Sequence, residues 1–175
     1  QERGKSEFHG VDGPLSVSDP RIKLDLLEKF MDAAEEKGIP KVKDFNQGDN
    51  FGCGYFQVTE KNGLRCSAAV GYLNPIKKRG NLKIETNCHV QKINFEGTKA
   101  IGVSFWRDNQ LFTAKANKEI LLSAGSIGSV QILQTSGIGN GNKLSNLGIQ
   151  VIKELNGVGK NLQDHLMFRP VYKIK

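Results

Sequence analysis

The apolar positions of this chain change period near Gly80. Before that point they recur at three- and four-residue intervals: Ile22, Leu26, Leu27, Phe30 and Ala34 fall on one face of a helix. Asp19-Pro20 reads as its cap and first residue and Gly38 as its stop, so this helix is expected to bury one face. Asn46 to Phe56 is a glycine-rich loop and Lys61-Asn62-Gly63 a turn; Ser67 then caps a short helix through Leu73, closed by Asn74-Pro75. After Gly80 the period becomes two. Leu82 and Ile84, then Val90, Ile93 and Phe95, then Ile101, Val103 and Phe105 alternate with polar residues, and Gly97-Thr98-Lys99 and Asp108-Asn109 turn the chain. That pattern predicts a β-meander.

The meander leads into KEILLSAGSIGSVQILQTSGIG, Lys118 to Gly139, which compresses a strand, a small-residue turn and a helix into one stretch. Ile120, Leu121 and Leu122 form an unbroken apolar run, the mark of a strand covered on both faces in a parallel sheet. Ala124, Gly125 and Gly128 turn the backbone; Ser129 is the expected N-cap, with Val130 in the first helical turn, and Ser136-Gly137 is the stop. A helix start reached through such a turn offers free N–H groups and a positive dipole end, which suits a phosphate or a ribose. Beyond it, Leu144 and Leu147 suggest a short helix ended by Gly148, and Val151 with Leu155 another strand. The whole is of mixed α/β class.

Composition narrows the function classes. The 175 residues are 38% hydrophobic, enough for one core or two small ones, and contain no apolar run long enough to span a membrane as a helix. The first residue is Gln1, which leaves the compartment open with the cytoplasm as default. The net charge of +7 is spread singly or in short groups such as Lys77-Lys78-Arg79 without interleaved aromatics, so no nucleic-acid surface is expected. Cys53, Cys66 and Cys88 lack CxxC spacing, and His9, His89 and His165 share no helix face; neither a disulfide framework, a metal site nor a catalytic triad follows. Gly4-Lys5-Ser6 copies the end of a phosphate loop without the strand that should precede it. Gly52-Cys53-Gly54, Gly139-Asn140-Gly141 and Gly157-Val158-Gly159 each lack the third glycine of a dinucleotide fingerprint.

Several segments, in order, resemble the glucose-methanol-choline (GMC) family of flavin oxidoreductases. His9-Gly10 with Asp12-Gly13-Pro14-Leu15 is similar to its HGxxGPL loop, and Gln57-Val58-Thr59 through Tyr72-Leu73 to its QxTxxxGxRxSAAxxYL segment. Asn81-Leu82, Thr86, Val90 and Ile93 resemble its NLxxxTxxxVxxI strand pair. Gly125-Ser126, Ser129, Ile132-Leu133 and Ser136-Gly137-Ile138-Gly139 resemble its second signature, Val130 standing where the family usually has Pro or Ser. Gly157-Val158-Gly159 with Asn161-Leu162-Gln163-Asp164-His165 is similar to its GVGxNLQDH loop. The choline-dehydrogenase-like branch is the nearest in pattern.

The resemblance implies FAD as cofactor, a small-molecule alcohol as substrate, and part of an FAD-binding domain interleaved with part of a substrate domain. Residues 1–78 map to the substrate side, 79–148 to the FAD side, and 149–175 return to the substrate side. Val90 matches the position whose backbone meets the adenine, and Ser123, Ala124 and Gly125 the turn beside the adenosine half. The family's first glycine loop and its catalytic His match nothing here, so the chain is expected to be an internal piece of an alcohol oxidoreductase with no catalytic residue of its own. The residues alone also admit a non-catalytic α/β nucleotide-binding or interaction module. The GVGxNLQDH loop reads either as a rigid loop held by Asn161 and Asp164 or as a flavin contact.

Overall fold

A computed structural model describes residues 1–173, which form two compact units, 1–84 and 85 onward. The first unit is built mostly from loops. Its helix α1, Asp25–Glu36, begins six residues after Asp19. Asp19 is diverted: its carboxylate pairs with Arg3 at 2.6 Å and accepts from Gln57 Nε2 at 3.1 Å. The N-cap is Leu24, with no side-chain cap. The expected buried face is absent within this unit, since no residue of α1 is buried and Phe30 is 60% exposed.

Two short strands, β1 Glu60–Lys61 and β2 Leu64–Arg65, pair across the Asn62-Gly63 turn. Isolated bridges tie Ser18 to Val58 and Lys41 to Cys53. The expected short helix is a π-helical turn, Ala69–Leu73, in which Asn74 N–H reaches the Ala69 carbonyl at 2.8 Å; Ser67 Oγ accepts from Val70 N–H at 3.3 Å near its start. Cys66 is buried and all three cysteines are free thiols.

The second unit is organised by backbone pairing. Strands β3 His89–Glu96, β4 Lys99–Arg107 and β5 Gln110–Lys115 form the antiparallel meander in the order β3-β4-β5. Leu82 and Ile84 lie outside it, with no strand partner among the described residues. Asp108 and Asn109, at φ +50° and +59°, close a two-residue hairpin of the type whose twist matches the strands. Phe105 and Phe112 stack across β4 and β5 with centroids 5.8 Å apart.

Helix α2, Gly125–Thr135, packs against β3, and side chains at its C-terminal end satisfy that strand's outer edge. Ser136 Oγ accepts from the buried Ile93 N–H at 2.8 Å, and Thr135 Oγ1 donates to the Gln91 carbonyl at 2.7 Å. Strands β6 Ile138–Gly139 and β7 Lys153–Glu154 supply the parallel pairing, separated in sequence by α3, Gly141–Asn146, whose Leu144 is 1% exposed. The expected parallel strand at Ile120–Leu122 finds no partner among the described residues: Leu121 is 81% exposed. Its apolar run is the signature of a covered strand, and this unit provides the cover on one side only.

Candidate functional site

The start of α2 lies where the sequence places a turn, but the helix begins at Gly125 rather than after Ser129. Gly125 takes φ +79° with nothing within 4 Å of where a Cβ would stand, so conformation rather than space calls for glycine. Ser129 acts from inside the helix, its Oγ accepting from Ala124 N–H at 3.2 Å, and Val130 is in the helix interior. The N-cap residue Ala124 offers no side-chain acceptor and the first turn carries no acidic residue. The first-turn N–H groups are therefore left to water or a ligand. A Cβ at Gly128 would stand 3.3 Å from that of Ala124, a tight approach that the neighbour must yield to accommodate.

Val90 stands on β3 opposite Phe105, beside a bulge that shifts the register between Val90 and Lys92. A bulge re-aims side chains and interrupts the ladder, a feature common beside sites. Three of the four expected cofactor residues, Val90, Ser123 and Ala124, line one cleft of about 280 Å³, together with Ile93, Val103, Ile120–Leu122 and Ile132. Gly125 adjoins it as the first residue of α2. The cleft has apolar walls from the meander and the unpaired 120–122 run, and at one end the small residues Ser123 and Ala124 beside the first-turn N–H groups of α2. That donor set fits a planar heteroaromatic ring with a polar, negatively charged extension, which describes the adenosine half of FAD.

A second cleft of about 480 Å³ was not anticipated. It lies between Ser126, Ile127 and Val130 of α2 and residues 159–163 of the GVGKNLQDH loop. The sequence signal for it was the glycine pair Gly157-Val158-Gly159, which reads locally as a failed fingerprint. In that loop Asp164 Oδ1 accepts from His165 N–H at 2.7 Å, and Asn161 takes φ +57°.

The first unit holds a cleft of about 590 Å³ whose wall includes Arg3, Asp19, Lys41 and Asp44. Larger size does not make it the better site, because these charges neutralise one another. Arg3 pairs with Asp19, and Lys41 with Asp32 at 2.6 Å. Asp44 is 5% exposed and meets His9 Nε2 at 2.6 Å and Arg3 at 3.5 Å. The Asn46 N–H that bonds its carboxylate at 2.9 Å, with His9 beside it, holds Asp44 below the usual carboxylate range against the opposing effect of burial. Arg3 does the same for Asp19. His9, the histidine of the HGxxGPL loop, is thus a structural partner. No cluster of metal-ligating side chains occurs among the described residues.

Comparison with known proteins gives this geometry a setting. The chain is 44% identical over 165 residues to human mitochondrial choline dehydrogenase, covering 94% of this chain and 28% of that protein. It is 45% identical over 175 residues to the oxygen-dependent choline dehydrogenase of Chromohalobacter salexigens, covering 98% and 31%. Among solved structures, the FAD-dependent oxidoreductase from Chaetomium thermophilum superposes with a TM-score of 0.86 at 37% identity, over 91% of this chain and 28% of that one. Pyridoxine 4-oxidase from Mesorbium loti superposes with a TM-score of 0.83 at 29% identity, over 90% and 31%. The chain thus spans about three tenths of the length of these relatives. The GMC oxidoreductase family model matches residues 2–167, nearly the whole chain, and with the motif order and the shared architecture it places this chain in the GMC oxidoreductase family.

Proposed function

We propose that the protein carrying this chain is an FAD-dependent oxidoreductase of the choline-dehydrogenase type, acting on the CH–OH group of a small alcohol, and that this chain furnishes the adenosine half of its cofactor site. The observation that carries the reading is the convergence of Val90, Ser123 and Ala124 on one cleft at the start of α2, with Gly125 beside them. Bound FAD would accept the hydride released from the carbinol carbon. The chain's own part is to bind and orient: backbone groups at Val90 face the ring, and the small residues 123–125 let the polar extension approach the helix start. On the same reading residues 1–78 and 149–175 belong to the substrate side and 79–148 to the FAD side. The names of the relatives support choline or a similar alcohol as the substrate.

None of the three histidines takes the role of proton acceptor in this reading; His9 is already engaged by Asp44. The base that removes the hydroxyl proton comes from sequence beyond the matched stretch. The 175 residues expressed alone should therefore be colourless and oxidise no alcohol, whereas the full-length protein should copurify with flavin and reduce a dye with choline or a simple primary alcohol. A full-length protein without flavin would refute the cofactor assignment, and turnover by the chain alone would refute the division of labour.

A further inference from the structure

Two of the glycine pairs that fail as dinucleotide fingerprints meet at one side chain. Gln134 lies on α2, and a Cβ placed on Gly139 would stand 3.5 Å from its Cγ; one placed on Gly159 would stand 2.9 Å from its Nε2 and 3.2 Å from Val130 Cγ1. Gly159 also takes φ +79°. Gln134 Nε2 donates to the Val158 carbonyl at 3.4 Å, a long bond supported by this close packing. Gly159 thus leaves room for the Gln134 amide, which lies between β6 and the 157–163 loop, while Gly139 sits in ordinary contact with the Gln134 stem. The loop seated in this way walls the second cleft at Ser126, Ile127 and Val130, the same helix start that bounds the adenosine cleft. At about 100° per residue, Ile132, which faces the adenosine cleft, points roughly opposite to Val130, so the two clefts flank the first half of α2 on different sides.

We propose that Gln134 is a positioning residue for cofactor binding: it clamps the GVGKN loop onto α2 and so holds Lys160 and Asn161 at the helix start over which the cofactor's polar portion passes. The inference rests on the cofactor site proposed above. Without the clamp the loop is open in most molecules and the cofactor must close it on binding, so apparent affinity falls in proportion to the closed fraction that is left.

The test uses the full-length protein and two readouts that separate the clamp from the cofactor reading. The first is the rate of limited trypsin cleavage after Lys160; the second is the dissociation constant for FAD after reversible removal of the flavin. Gln134→Leu keeps the bulk and removes the donor, and Gln134→Glu places an acceptor against the Val158 carbonyl. Gln131→Leu, at an exposed position on the same helix, is the control. Losing one neutral hydrogen bond should raise both the cleavage rate and the FAD dissociation constant by roughly three- to tenfold in Gln134→Leu, and by more in Gln134→Glu, with no change in the control. Unchanged cleavage in both Gln134 variants overturns the clamp. Faster cleavage with unaltered FAD affinity overturns its role toward the cofactor and leaves a merely structural contact. If the wild-type protein binds no flavin, the cofactor site and the role of Gln134 toward it both fall, while cleavage still shows whether the clamp itself exists.

Discussion

The two units are held by different kinds of bond. Residues 85 onward pair backbone to backbone through three antiparallel strands, and side chains at the C-terminal end of α2 complete the outer edge of β3 at Gln91 and Ile93. In residues 1–84, strand pairing amounts to one two-residue hairpin and two isolated bridges, and charged side chains do much of the joining: Arg3, Asp19, His9 and Asp44 tie residues 3–19 to the loop after α1. A ladder depends on local backbone shape and tolerates most exposed side-chain changes. A network of charges anchored on one buried carboxylate depends on a few side chains and on pH.

The largest expected effect breaks the ladder side of this contrast at a single methyl group. Gly137 sits at φ +86°, and a Cβ there would stand 2.3 Å from the Gln150 carbonyl oxygen and 2.9 Å from Ile152 Cγ1. Gly137→Ala therefore combines left-handed strain with overpacking and should cost about 3 kcal/mol or more. Thermal unfolding checks it; a loss under about 1 kcal/mol would mean that the 136–152 contact is loose.

Asp44→Ala tests the charge network. Removing a carboxylate that accepts from Asn46 N–H and from His9 should cost roughly 1.5 to 3 kcal/mol near neutral pH. The carboxyl is held below its ordinary value in the folded protein, so its contribution is present above the unfolded carboxylate range, about pH 4, and is lost as pH falls through the depressed folded value. The difference in stability between wild type and variant should shrink as the pH is lowered through that window. A difference that stays constant with pH would assign the effect to packing rather than charge.

A smaller effect sharpens the comparison within the second unit. Asn140 Oδ1 accepts from Lys143 N–H at 2.9 Å at the start of α3, and Asn140→Ala should cost about 1 kcal/mol. Equal stability in urea titration would show that Leu144, rather than the cap, sets where α3 begins.

The same contrast explains what was legible in the sequence. The meander is written in a period of two with turn residues at Gly97 and Asp108-Asn109, and the structure follows it from Val90 to Lys115. Asp19-Pro20 is a sound local start signal for α1, but the Asp19 carboxylate is engaged by a distant partner, the Arg3 guanidinium. Ser129 carries the residue type of a cap, but its hydroxyl reaches back five residues to the Ala124 N–H from inside the helix. The cleft residues Val90, Ser123 and Ala124 were reachable only through motif order, since nothing local brings residue 90 to residue 123. The part played by Gly159 was hidden for a similar reason: it packs against Gln134, a residue on another element.

On the function proposed above, the cleft beside the bulge at Val90 receives the adenosine half of FAD through backbone groups. Flavin content of the purified full-length protein, read from its visible absorbance, tests it most directly in the pair Val90→Ile and Val90→Pro, each checked for an unchanged far-UV circular dichroism spectrum. Val90→Ile keeps the N–H and should retain flavin near the wild-type level, whereas Val90→Pro removes the donor and should lose most of it. Equal flavin content in wild type and a folded Val90→Pro variant would contradict the assignment.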